Sequence, residues 1–131
     1  MTRINCIPAA ELAREHLVAE YRELPRVVAL ANAAWKRRET FERFIPAAYA
    51  LGPGHVRFFH NKMAWVRCRF AELVEEMLTR GYNPTFRELP DITVGPEWMG
   101  EWTPDAAAQA LNRARIRERI QQSKERQIAR A

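Results

Sequence analysis

The run His16-Leu17-Val18-Ala19-Glu20-Tyr21-Arg22-Glu23-Leu24-Pro25-Arg26-Val27-Val28 carries two patterns at once. Ala13, Leu17, Tyr21, Leu24 and Val28 recur at three- and four-residue spacing, the period of one face of an α-helix. On another face His16, Glu20 and Glu23 fall within about 60° of one another, with Arg22 and Arg26 one turn apart beside them. The pattern predicts a helix from about Pro8 to Arg38. Pro8 suits a first-turn position. Pro25 lies inside, removes one backbone hydrogen bond, and is expected to kink the helix near Arg22.

Working outward, a second helix is predicted from about Asn61, as its cap, to Arg80. Trp65, Val66, Phe70, Leu73, Val74, Met77 and Leu78 form its apolar face, and Gly81 stops it. A third opens at Thr103-Pro104-Asp105, a cap with proline at the first helical position, and runs through Ala107, Ala110, Leu111 and Ala114 into a basic end. Between them, Leu51-Gly52-Pro53-Gly54-His55 reads as a tight loop and Asn83-Pro84 as a turn. Residues 86–102 read as an irregular ordered segment anchored by Trp98 and Trp102. There is no internal repeat, low-complexity tract or dividing linker. The expectation is an all-α fold: one compact domain over residues 1–131, with three main helices and irregular connections.

Composition narrows the class. With 131 residues, 47% hydrophobic and 28% charged, the chain can bury a core, which excludes disorder and a small disulfide scaffold. Cys6 and Cys68 lack metal-ligand spacing and are expected to be free, buried thiols in a reducing cytoplasm. No stretch approaches the roughly 20 apolar residues of a membrane span, and the N-terminus lacks a signal-peptide core.

The net charge of +5 is unevenly placed. Residues 113–131 hold Arg113, Arg115, Arg117, Arg119, Lys124, Arg126 and Arg130 against Glu118 and Glu125, which accounts for the whole surplus. Such a tail is either a solvated helix end complementing the helix dipole, or a helix laid beside phosphates, with Arg115 and Arg119 one turn apart. The polar face of the first helix has two readings as well. It is a salt-bridged surface, or an acid/base centre flanked by phosphate clamps. Periodicity does not choose between them.

A longer comparison does. Met1-Thr2-Arg3-Ile4-Asn5, Glu11-Leu12-Ala13, His16-Leu17 and Ala19-Glu20-Tyr21-Arg22-Glu23-Leu24-Pro25-Arg26-Val27 closely resemble phage-type endonuclease V. That family comprises pyrimidine dimer DNA glycosylases with abasic-site lyase activity. The resemblance continues in order through Leu51-Gly52, Gly54-His55-Val56, Phe58-Phe59, Lys62, Arg80-Gly81, Asp91-Ile92, Gly100, Pro104 and Ala114-Arg115.

The resemblance implies a nucleophile that is the α-amine of Thr2, exposed when Met1 is removed, and a catalytic carboxylate at Glu23. It implies DNA contacts from Arg3, His16, Arg22, Arg26, Arg115 and Arg119. It further implies a monomer acting without metal or other cofactor on damaged or abasic double-stranded DNA, in a bacterial or viral cytoplasm at the nucleoid. His55 and His60 are expected to be structural. An α-amine with a pKa near 7.7–8.0 is substantially neutral at cellular pH, whereas an ordinary lysine is almost fully protonated.

The founding pattern of that family ends in an aromatic- and lysine-rich segment linked to dimer recognition. This chain has no aromatic residue after Trp102 and ends Gln121-Gln122-Ser123-Lys124-Glu125-Arg126-Gln127-Ile128-Ala129-Arg130-Ala131. Base stacking on an aromatic contributes roughly 1–3 kcal/mol, so lesion preference is where the resemblance carries least. Val27 to Pro46 also diverges, and Trp35 there is assigned only packing.

Overall fold

The structure, a computed structural model, describes residues 4–130, and among these it is helical with no strand. Four α-helices appear: α1 (Arg14–Trp35), α2 (Arg38–Phe41), α3 (Met63–Thr79) and α4 (Ala106–Arg130). Short 3-10 turns lie at Ala9–Glu11, Glu42–Phe44, Arg57–Phe59 and Pro96–Trp98. The three long helices are those expected from periodicity. No helix among the described residues is long and apolar enough to cross a membrane.

Helix α1 starts later than its pattern suggested. Pro8 precedes a 3-10 turn, and Ala13 has an extended backbone, so residues 4–12 form a separate segment leading into the helix. Pro25 does not interrupt α1, which runs through it. Proline withholds only the one N–H that would have met the Tyr21 carbonyl. Leu17, Tyr21, Leu24, Val27, Val28, Ala31 and Ala34 are buried, so the apolar stripe faces the core as the spacing required. The pattern also ran too far at the other end: a turn at Lys36 and Arg37 separates α1 from the short α2.

Helix α3 is capped from elsewhere in the chain. Asn61 does not cap it. Lys62 occupies the cap position without a side-chain bond, and Gly100 supplies an acceptor to the Trp65 N–H at 3.2 Å. The Gly100 N–H in turn donates to the Asn61 carbonyl at 3.1 Å, and a side chain at residue 100 would run into that carbonyl. At the other end Gly81 takes φ +80°, where glycine bears no steric cost. Tyr82 N–H then reaches the Met77 carbonyl and Gly81 N–H the Leu78 carbonyl, the paired bonds of a Schellman stop. Val66, Phe70, Leu73, Val74 and Met77 are buried, but Leu78 is exposed. Arg69 lies buried among them.

Helix α4 opens one residue after Asp105, whose Oδ1 accepts the Ala108 N–H at 2.7 Å. Asp105, not Thr103, is therefore the capping side chain, and Pro104 precedes the helix. Only Ala108, Asn112 and Ile116 of α4 are buried, and its end from Lys124 is exposed.

Trp98 and Trp102 anchor the irregular segment as expected. Trp98 is buried, donates its indole N–H to Glu42 Oε1 at 3.0 Å, and meets Trp35 edge-on at 5.3 Å. Trp102 stacks on Tyr49 at 5.7 Å, with Phe58, Phe59 and Trp65 around it. Tyr21 stacks on Phe86 at 4.4 Å, and its hydroxyl donates to the Phe86 carbonyl while accepting the Phe86 N–H.

The two cysteines differ, correcting the expectation that both are buried. Cys6 is buried and Cys68 exposed. Residue 68 lies about 200° around the helix from Val66, which turns it away from the core. Burial pushes the Cys6 thiol up to about 11. A thiol reagent at pH 8 should therefore modify one cysteine per chain rapidly and the second only after unfolding. Rapid labelling of both in the folded protein would contradict this arrangement.

Candidate active site

The segment from Ile4 to Leu12 has almost no regular structure, so its backbone groups must find partners elsewhere. Side chains provide them. The Ile4 N–H donates to His55 Nε2 at 3.1 Å, and Tyr49 Oη donates to the Ile4 carbonyl at 3.1 Å. Asn112 Oδ1 accepts the Cys6 N–H at 2.8 Å. Arg69 donates to the Ile7 carbonyl at 2.7 Å, and Glu72 accepts the Ala9 N–H at 2.7 Å. Arg80 donates to the Leu12 carbonyl at 2.8 Å. Near the segment's far end, Glu11 pairs with Arg113 of α4 at 2.8 Å, which holds the Glu11 carboxyl below its usual range. Residues 4–12 are thus held to α3, to α4 and to the loop bearing Tyr49 and His55.

At the centre is an ion pair the sequence did not reveal. Glu20 is fully buried and takes two hydrogen bonds from Arg69, Nε to Oε2 at 2.6 Å and Nη2 to Oε1 at 2.9 Å. Asn5 Nδ2 donates to the same Oε1 at 2.9 Å. Glu20 therefore does not belong to the exposed polar face assigned to it with His16 and Glu23. The period is right, but Arg69 of α3 reaches the near edge of that face and draws Glu20 inside. The available signal was Arg69 itself, a cation in the apolar stripe between Val66 and Phe70.

One turn beyond Glu20, Glu23 is nearly buried, with its side chain 10% exposed and Arg26 Nη1 at 3.8 Å. The Arg26 side chain is 73% exposed and Arg22 is exposed, so both guanidinium groups project into solvent beside a sheltered carboxylate. His16 is half-buried. Arg115 and Arg119 are half-buried on α4, with long contacts to Glu118 at 3.4 Å and Gln122 at 3.5 Å. Among the described residues, the buried side-chain nitrogens without a hydrogen-bond partner are His16 Nδ1, Arg115 Nε and Arg119 Nε. Buried polar atoms are rarely left unpaired without a ligand or water to meet them. All three belong to the candidate set. Thr2 and Arg3 lie outside the described residues.

His55 and His60 are both buried. Since His55 Nε2 accepts the Ile4 N–H, Nδ1 carries the proton and donates to the Ala50 carbonyl at 2.9 Å. His60 Nδ1 meets the Val56 carbonyl at 3.1 Å, and burial lowers its pKa. Lys62, an amine whose pKa burial also lowers, is already engaged by the Phe58 carbonyl, Asn61 Oδ1 and the Phe58 ring. No group of three His, Cys, Asp or Glu side chains able to hold a metal ion occurs among the described residues.

Removing one partner of a buried ion pair leaves an uncompensated charge and costs about 3–5 kcal/mol. Arg69→Ala should therefore lower the free energy of unfolding in urea by that amount. The double variant E20L with R69M should recover a large part of it. A loss below about 1 kcal/mol for Arg69→Ala would contradict the weight given to this pair.

Glu23 is thus sheltered with Arg22 and Arg26 exposed beside it, one turn from the Glu20 that holds Asn5. A comparison with known families identifies the chain's relatives. The family model described as pyrimidine dimer DNA glycosylase matches residues 1–88, which include α1, α3 and the whole pinned segment. The chain belongs to the pyrimidine dimer DNA glycosylase family.

Proposed function

We propose that this chain removes pyrimidine dimers from DNA and cleaves the resulting abasic site, using the α-amine of Thr2, freed by loss of Met1, as nucleophile. Glu23 is the catalytic carboxylate. The observation that carries this reading is the pinning of Ile4, Asn5 and Cys6 by His55, Glu20 and Asn112, with Glu23 one turn from Glu20. Three residues of extended chain span at most about 11 Å, so a tether at Asn5 restricts how far residue 2 can stray. An α-amine titrating near 7.7–8.0 supplies a neutral nucleophile without the desolvation a lysine would need.

The reaction follows from those groups. The Thr2 nitrogen attacks the anomeric carbon of the damaged nucleotide, the bond to the base breaks, and the base leaves with a proton. The sugar ring opens and the amine holds it as an imine. That imine acidifies the neighbouring carbon. Loss of its proton expels the 3′ phosphate by β-elimination, and water then hydrolyses the imine to regenerate the amine. The Glu23 carboxylate stabilises positive charge at the sugar during base loss and carries protons during ring opening and elimination. Its burial strengthens both effects.

Arg22 and Arg26 flank Glu23, and Arg115 and Arg119 present a second cationic edge from α4. These arginines, with His16 and Arg3, contact the phosphate backbone, which positions the duplex without reading sequence. Reaching the sugar requires local distortion, and a poorly stacked lesion costs less to distort.

A second reading concerns lesion choice. Helix α4 continues to Arg130 with Lys124, Arg126 and Arg130 exposed, and no aromatic side chain is available there for stacking. The chain would then be a glycosylase or abasic lyase with another lesion preference. A third, a helical DNA-binding protein without turnover, is disfavoured by the retention of Thr2 and Glu23.

Intact mass should correspond to the chain without Met1, and borohydride should trap a covalent complex with an abasic duplex. An added N-terminal tag and Glu23→Gln should each reduce cleavage by at least about a hundredfold, as expected for loss of an essential group. Failure of the Met1-free protein to trap would overturn the nucleophile, and nicking of abasic but not irradiated plasmid would favour the second reading. Each of Arg26→Ala and Arg115→Ala should reduce the slope of log binding constant against log salt by about 0.9. A residue whose removal leaves the slope unchanged is not a phosphate contact.

A further inference from the structure

We propose that Asn112 of α4 is a positioning residue for the imine-forming step, setting the register of the chain start through Asn5 and Cys6. The inference rests on the Thr2 reading above. Asn112 is fully buried, and both ends of its carboxamide are used. Its Oδ1 accepts the Cys6 N–H at 2.8 Å and its Nδ2 donates to Asn5 Oδ1 at 2.8 Å. Asn5 Nδ2 then donates to Glu20 Oε1 at 2.9 Å.

The polarity of this chain of bonds is fixed at both ends. A backbone N–H can only donate, so the Asn112 oxygen must face Cys6. An ionised carboxylate only accepts, so the Asn5 nitrogen must face Glu20. Between those ends a single arrangement of the two amides makes all three bonds. Neither amide can turn over without two unfavourable contacts. An apolar side chain at 112 would bury the helix equally well, beside Ala108 and Ile116, but would leave the Cys6 N–H without its partner.

Asn112 therefore does more than fill space. It ties the segment leading to residue 2 to the helix that carries Arg115 and Arg119. Those residues follow at three and seven positions, on the same side of α4. A duplex docked on those arginines and the Asn5–Cys6 segment that leads to the amine thus share one connection through Asn112. A misplacement of about 1 Å between reacting groups can cost a hundredfold in rate.

The test compares chemistry with binding in Asn112→Asp and Asn112→Ser, each shown by circular dichroism to be folded at the assay temperature. Asn112→Asp keeps an acceptor for Cys6 but turns an oxygen toward Asn5 Oδ1. Asn112→Ser shortens the link and serves if the aspartate variant does not fold. Single-turnover borohydride trapping on an abasic duplex should slow by about 10- to 100-fold. The Kd for a duplex carrying a tetrahydrofuran abasic analogue should stay within about twofold, since the DNA-facing arginines are untouched. Where the wild-type protein traps normally, unchanged trapping in the folded variant overturns this inference alone, as does a parallel loss of rate and affinity. A wild-type protein that does not trap overturns the nucleophile and this inference together.

Discussion

The bidentate pair between Glu20 and Arg69 is the constraint on which the arrangement depends. Two charges taken out of water carry a desolvation penalty that their attraction offsets only with good geometry and further hydrogen bonds. Both conditions hold. Glu20 takes a third bond from Asn5, and Arg69 places its remaining nitrogen on the Ile7 carbonyl and Glu72 Oε2. The pair joins α1 to α3 and gives the N-terminal segment two of its anchors. An apolar pair of similar volume would join the helices, but it would offer nothing to Asn5 or Ile7. What the ions add is register.

That register matters because the segment it holds has only one 3-10 turn, at Ala9–Glu11, to hold itself. Residues 4–12 share hydrogen bonds with His55, Tyr49, Asn112, Arg69, Glu72 and Arg80, which come from three regions of the chain. Ordering an irregular segment costs roughly 1–2 kcal/mol per residue in backbone entropy. A fold spends that free energy where placement has a use. The nucleophile we propose at the chain start is such a use, because a terminal amine has no side-chain scaffold and is positioned only through the residues that follow it.

Helix α1 divides its labour by angle. Its apolar stripe fills the core, Glu20 faces inward, and Glu23 sits one turn on at the edge with Arg22 and Arg26 outside. Two glutamates of the same intrinsic chemistry thereby take different parts, one committed to Arg69 and one buried at the helix edge beside Arg26. Helix α4 does something similar along its length. Its first turns pack through Ala108, Asn112 and Ile116, while residues 113–131 carry the cations responsible for the net +5.

The periodicity of Leu17, Tyr21, Leu24 and Val28, the stop at Gly81 and the cationic run after Asn112 were all legible as sequence. Local spacing and local backbone preference determine them. The sequence alone also placed Glu23 beside Arg22 and Arg26, since neighbours one turn apart on a helix need no tertiary contact to be close. It did not separate Glu20 from that face, find Asp105 as the cap of α4, or distinguish buried Cys6 from exposed Cys68. Nor did it show that Asn5 and Asn112, separated by most of the chain, share a hydrogen bond. Those outcomes depend on which partner arrives from a distant segment. A buried charge or amide is tolerated only where that partner satisfies it, and only the folded chain supplies the partner.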